Sequence, residues 1–171
     1  MILKIERPPT KNLVIASTVV VLVVILLVMS PWKSSSLVPP DIKKQLSFNA
    51  IYPGSSTDTQ ISPASFSYQP SQNSLAISLK YQGQSIILSE QKAPDSVLAN
   101  TDAANQQLGV HPYAQFQSRL GLVSLTKLFQ GKTYSAQGQL GVLVAKGTLI
   151  LAHSATNLST NQWEGFFNNL F

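Results

Sequence analysis

The chain has 171 residues, 44% of them hydrophobic and only 11% charged, with a net charge of +5 and no cysteine. The absence of cysteine excludes disulfides, thiolate nucleophiles, Cys-based zinc or iron–sulfur sites and a lipidated lipobox cysteine. The nine basic residues beyond position 32 are scattered, with one arginine among them, so the dense basic stripe that nucleic acid requires is missing.

Residues 1–12 carry Lys4, Arg7 and Lys11 against Glu6 and read as a cytoplasmic head. Residues 13–29, LVIASTVVVLVVILLVM, contain no charge, and with Ser30, Pro31 and Trp32 they make about 20 residues, enough to span a ~30 Å hydrocarbon core as a helix. Trp32 suits the interface, Pro31 marks the helix end, and the basic head favours an N-terminus inside the cell. The segment 13–32 is therefore expected to be a single transmembrane helix. The competing reading is a cleaved signal peptide, for which the Val28-x-Ser30 site followed by Pro31 is poor. Residues 33–47 begin with KSSSLVPP and read as a Ser/Pro linker with a short helical turn after Asp41, in which Ile42, Gln45 and Leu46 share a side.

From residue 48 the pattern changes to short apolar runs between turn signals, and residues 48–171 are expected to form one extracytoplasmic domain. Residues 48–52 suggest a first strand stopped by Pro53-Gly54. A polar loop follows over 55–63, then ASFSYQ (64–69) alternates with Phe66 and Tyr68 on one side. Leu75, Ile77, Leu79 and Tyr81 recur every second residue. Gln82-Gly83-Gln84 turns the chain and SIILSEQ (85–91) returns, a clear hairpin. Residues 93–108 are polar and read as a loop with helical turns that Gly109 stops. In that stretch Val97, Leu98 and Leu108 are the candidate core contacts. Residues 113–120, 122–129 and 131–137 suggest strands, and LGVLVAK (140–146) with TLILA (148–152) suggests a second hairpin about Lys146-Gly147. The end of the chain carries a capping box, Ser159 with Gln162, and a staple of Leu158 with Trp163. Trp163, Phe166, Phe167 and Leu170 then fall on one side of a helix, and core packing suits them better than a membrane surface because no Lys or Arg stands opposite. The fold class is α+β: an N-terminal single transmembrane helix, then an antiparallel sheet with a C-terminal amphipathic helix packed on one face.

Chemistry is sparse. His111 and His153 have no ligand-spaced neighbours and read as ordinary surface or edge histidines. Glu90, Asp95 and Asp102 are the grouped carboxylates, without an Asp-x-Asp-x-Asp loop, and read as solvated charges. No Gly-x-Ser-x-Gly elbow or phosphate loop occurs, and turns account for most of Gly131, Gly138, Gly141, Gly147 and Gly165. Asn157-Leu158-Ser159 matches a glycosylation sequon, but Ser159 serves better as a helix cap. No catalytic, cofactor or metal residue is assigned.

The stretches SIILSEQKAP (85–94), QGKTYSAQG (130–138) and GTLILAHSATNLSTNQWEGFFNNLF (147–171) are similar to small membrane-anchored bacterial proteins with an uncharacterised extracytoplasmic α+β domain. In outline such domains resemble lipoprotein-carrier and anti-sigma-regulator sensor domains. The resemblance implies a curved antiparallel sheet and a non-enzymatic role in binding a protein or an apolar ligand. It lends no catalytic residues. The expected function is thus a single-pass envelope protein, held in the bilayer by residues 13–32, whose outer domain binds a protein or envelope component. The alternatives are a lipid-binding or sensing domain with a cavity between sheet and helix, and an anchored hydrolase built on His111 or His153.

Overall fold

The computed structural model describes residues 37–54, 56–98, 100–128 and 137–171. The expected head, the membrane span 13–32 and the start of the linker lie outside the described residues, as does the strand expected about Tyr134. Among the described residues no helix is long and apolar enough to cross a membrane.

Leu37–Phe171 form one compact unit. Its elements are α1 (Pro40–Lys43), β1 (Thr59–Gln60), a 3-10 turn (Pro63–Ser65), β2 (Phe66–Gln69), β3 (Ser74–Tyr81), β4 (Gln84–Lys92), α2 (Thr101–Leu108), β5 (Ala114–Ser118), β6 (Gly121–Leu128), β7 (Gly138–Ala145), β8 (Thr148–Ser154) and α3 (Thr160–Asn168). The strands form one antiparallel sheet in the order β1-β3-β4-β8-β7-β6-β5, with β2 also on β3. Both expected hairpins are present. Tyr81 pairs with Gln84 and Ala145 with Thr148. The two central residues of each turn, Gln82-Gly83 and Lys146-Gly147, all have positive φ, the conformation that matches the twist of a two-residue hairpin.

The register sorts the side chains onto two faces. Cross-strand partners Ile77 and Leu88, Leu88 and Ala152, and Leu143 and Ile150 point to the same side. That side is the main core, closed by α3 and by the strap of residues 37–54. Trp163, Phe166 and Phe167 are completely buried there, with ring centroids 5.4–6.0 Å apart. Covering each contributes about 2–3 kcal/mol. The capping box forms as the sequence indicates: Ser159 Oγ accepts from the Gln162 amide, and Gln162 Oε1 accepts from the Ser159 amide. Leu170 lies just past the helix and bridges to Pro53. On the opposite face Val142, Leu140 and Leu149 pack against Ala104 of α2 and against Ala93 and Val97.

Four expectations are corrected. Residues 48–52 are not a strand. They form an extended strap tied down by side chains and by the C-terminus rather than by a ladder. The compact unit starts at Leu37, and Val38 is 2% exposed, so most of the stretch read as linker belongs to the domain. Residues 101–108 form a regular helix capped by Asn100, whose Oδ1 accepts from the Ala103 amide at 2.7 Å, and ended by Gly109 at φ 64°. In the preceding turn Val97 is buried, whereas Leu98 is exposed. Finally, Gly141 and Gly165 are not turn residues. A Cβ on Gly141 would lie 2.6 Å from the Phe167 ring, and one on Gly165 would lie 2.5 Å from the Tyr81 hydroxyl. Each glycine makes room for an aromatic side chain.

Candidate functional site

The two core layers leave part of the sheet uncovered. At the turn end of β3 and β4, Ser78, Lys80, Ser85 and Ile87 point away from α3 and are exposed, whereas Ser74, Ala76, Ser89 and Gln91 on the same face are half-buried. Ser78 faces Ile87 and Lys80 faces Ser85 across the hairpin. β1 pairs with the end of β3, and the chain from Thr59 to Ser65 rises beside this surface as a wall. Floor and wall enclose an open groove of about 720 Å³, to which Ile61, Ser62 and Ser65 also contribute. Ile87 is 45% exposed, one of four large apolar side chains left in solvent among the described residues. Among the described residues Lys80 is the one charged residue lining the groove, so the site combines an apolar spot at Ile61 and Ile87, several hydroxyls and a positive edge. That mix suits an apolar group for the spot and an acceptor or carboxylate for Lys80.

Among the described residues, Trp163, Phe166 and Phe167 fill the space between the sheet and α3. Gln139 satisfies the polar atoms at the edge of that space. Its Oε1 accepts from the Trp163 indole at 3.0 Å and from the Leu158 amide at 2.7 Å, while its Nε2 donates to the Tyr113 hydroxyl at 2.8 Å. Burial raises the Tyr113 pKa, partly opposed by the Gln139 bond. Gln139 escaped the sequence reading because a polar residue at a strand start looks solvated.

The sequence-flagged residues do not converge. His111 is exposed, and its backbone carbonyl, not its ring, accepts from Thr126 Oγ1. It lines two clefts beside α2, of about 380 and 540 Å³, the second with Asp102 and Asn105. His153 lies on β8 and its Nε2 pairs with the Gln137 carbonyl at 3.0 Å. Neither imidazole is hydrogen-bonded to a serine or carboxylate in the described residues. Asp102 is exposed and accepts from Gln115, and Asp95 is exposed in the turn after β4. No three His, Asp or Glu side chains among the described residues gather to hold a metal.

Glu90 is the exception among the carboxylates, and reading it as a solvated charge is wrong. It sits in the middle of the core face, 1% exposed, between Leu75 and Ile150. Its Oε2 accepts from the Ile51 amide at 3.0 Å, while Oε1 is buried with no hydrogen-bond partner among the described residues. Loss of hydration raises its pKa to about 8, with the Ile51 bond opposing that shift. The sequence did hold the signal, since in SIILSEQ Glu90 has the same parity as the core residues Ile86 and Leu88.

Compared with models of known families, with curated proteins and with solved structures, the chain matches none.

Proposed function

We propose that this is a membrane-anchored envelope protein whose folded domain binds a protein segment in the β3–β4 groove, without catalysis. The observation that carries the reading is the groove itself, the place where the described sheet leaves a large aliphatic side chain, Ile87, in solvent beside a walled cleft. Its volume falls within the ~300–1,000 Å³ range of ligand sites. The occupant is an extended segment that seats an apolar side chain against Ile61 and Ile87 and turns a carboxylate toward Lys80. The apolar run 13–29, with its basic head before it and Trp32 after it, supports the anchor and the orientation with the domain outside the cell. The filled sheet–α3 interface favours surface recognition over an internal lipid cavity, and the separated histidines favour binding over hydrolysis.

The test is site-specific photo-crosslinking of the intact protein in its own cells, with the crosslinker at Ile87 and a control crosslinker at the exposed Gln117. A discrete adduct from position 87, absent from position 117 and lost in Lys80→Glu, supports the reading. Equal labelling from both positions refutes it.

A further inference from the structure

The interior carboxyl of Glu90 plays no part in the groove, and a leucine or methionine would fill its place without the penalty of burying a charge. What it touches is the strap, the segment that carries the chain into the domain. β4 is held on both sides, by β3 and by β8, so its backbone cannot move to bring Glu90 to water. The strap lacks such a ladder. Besides the Ile51–Glu90 bond and the burial of Ile51, the ties on residues 49–54 include Thr148 Oγ1 donating to the Asn49 carbonyl at 3.3 Å, the Gly54 amide donating to the Asn169 carbonyl at 3.3 Å, the Phe171 amide donating to the Tyr52 carbonyl at 3.4 Å and the isolated bridge from Pro53 to Leu170. We propose that Glu90 is a proton-operated latch: protonated, it lets residues 49–54 lie closed over the sheet, and deprotonated, it favours lifting that segment off so that water reaches the carboxylate.

Among the described residues the charge environment offers no other compensation. On the strap and α1 side the charged groups are Asp41, Lys43 and Lys44, all exposed, and the titratable neighbour is Tyr52. On β4 itself Lys92 shares the face of Glu90 but is exposed at the strand end. On β3, Lys80 points to the opposite face, and Tyr81 lies at the far end, paired with Gln84. On β8, His153 points to the opposite face, paired with Ile87. On α3, Glu164 is half-buried and adds no positive charge. Hence a bare carboxylate at 90 gains stabilisation mainly from water, and the cheapest path to water is to open the strap. The ionised form would strengthen its bond to the Ile51 amide, but a single hydrogen bond does not replace the lost hydration shell.

Hydrogen exchange on the full chain in detergent tests this, with amide protection corrected for the intrinsic pH dependence of exchange. The Ile51 amide is expected to exchange at least tenfold faster than Val142 and Leu143 in β7. Its protection is expected to fall as pH rises from 5 to 8, approaching tenfold per pH unit, and to level off above 8. Glu90→Gln removes that slope. Thr148→Val, which loosens the strap without touching the acid, lowers Ile51 protection at every pH and keeps the slope. The latch is overturned if Ile51 protection coincides with that of β7, because the strap then opens only when the domain unfolds. A wild-type profile without slope, a slope that survives Glu90→Gln, or a slope abolished by Thr148→Val overturns it equally.

Discussion

Glu90 sets a sign for the pH dependence of stability. Its pKa lies near 8 in the folded domain, against about 4.5 when exposed, so the folded state holds a proton that the unfolded state releases across that window. Its stabilising contribution is complete below about pH 4.5 and is lost as pH rises toward 8, with a limiting slope of about 1.4 kcal/mol per pH unit. Thermal melts of the wild type should therefore show a lower Tm at pH 7 than at pH 5, and Glu90→Gln should lack that component. Gly141 gives a second prediction at this scale. The Phe167 ring that covers it is itself wedged among Phe116, Trp163 and Phe166, so it cannot swing away from an added methyl group. Gly141→Ala should cost about 1–3 kcal/mol, read as a lower urea midpoint with an unchanged slope. An unchanged midpoint would mean that the aromatic layer is looser than its burial indicates. Neither role is visible to periodicity. Parity placed Glu90 inside, but its chemistry argued for solvent, and only a neighbouring ring shows why a strand glycine is needed.

Elements were legible where their signals were local. The two hairpins rest on alternation plus a Gly turn, and α3 on a capping box followed by an apolar stripe. These are rules within a dozen residues, and the structure follows them. Where partners are distant, the same rules fail. Residues 48–52 form a short apolar run before Pro53-Gly54 as a strand would, but their bonds go to Glu90, Thr148 and Phe171, none of which the local sequence reveals. The helix over 101–108 is mostly polar, since it covers only a corner of the sheet with Ala104. Its marks were the Asn100 cap and Gly109, of which only the stop was read. At this scale the cap of α3 is the sensitive point. Ser159→Ala removes the acceptor for the Gln162 amide and should cost about 1 kcal/mol in chemical denaturation. Ser159→Asp should recover most of it, because it restores an acceptor and places negative charge at the helix start. Equal losses in both variants would count against the cap.

At the scale of the molecule, both ends of the described chain meet on one face. The Tyr52 and Phe171 rings pack at a tilt with centroids 5.6 Å apart, and Pro53 bridges to Leu170, so the strap and the C-terminal turn close the sheet together. The sequence suggested closure by α3 but not by the strap, because a Ser/Pro-rich entry carries the composition of a spacer even where Val38 inserts into the core. The groove was not legible either: it needs β1 and the 59–65 wall beside the first hairpin, a juxtaposition that no local pattern encodes. The position of the true domain start can be decided by comparing fragments 37–171 and 48–171. The longer one keeps the buried Val38 together with the half-buried Leu37, Ile42 and Leu46 that pack on the core. The shorter one exposes the surface they cover. Val38 alone contributes about 1.5–3 kcal/mol, and its half-buried neighbours add to that, so fragment 48–171 should unfold at a clearly lower urea midpoint and bind a hydrophobic dye that 37–171 does not. Matching midpoints would return residues 37–47 to the role of a spacer and leave the remaining strap, 48–54, to cover the sheet unaided.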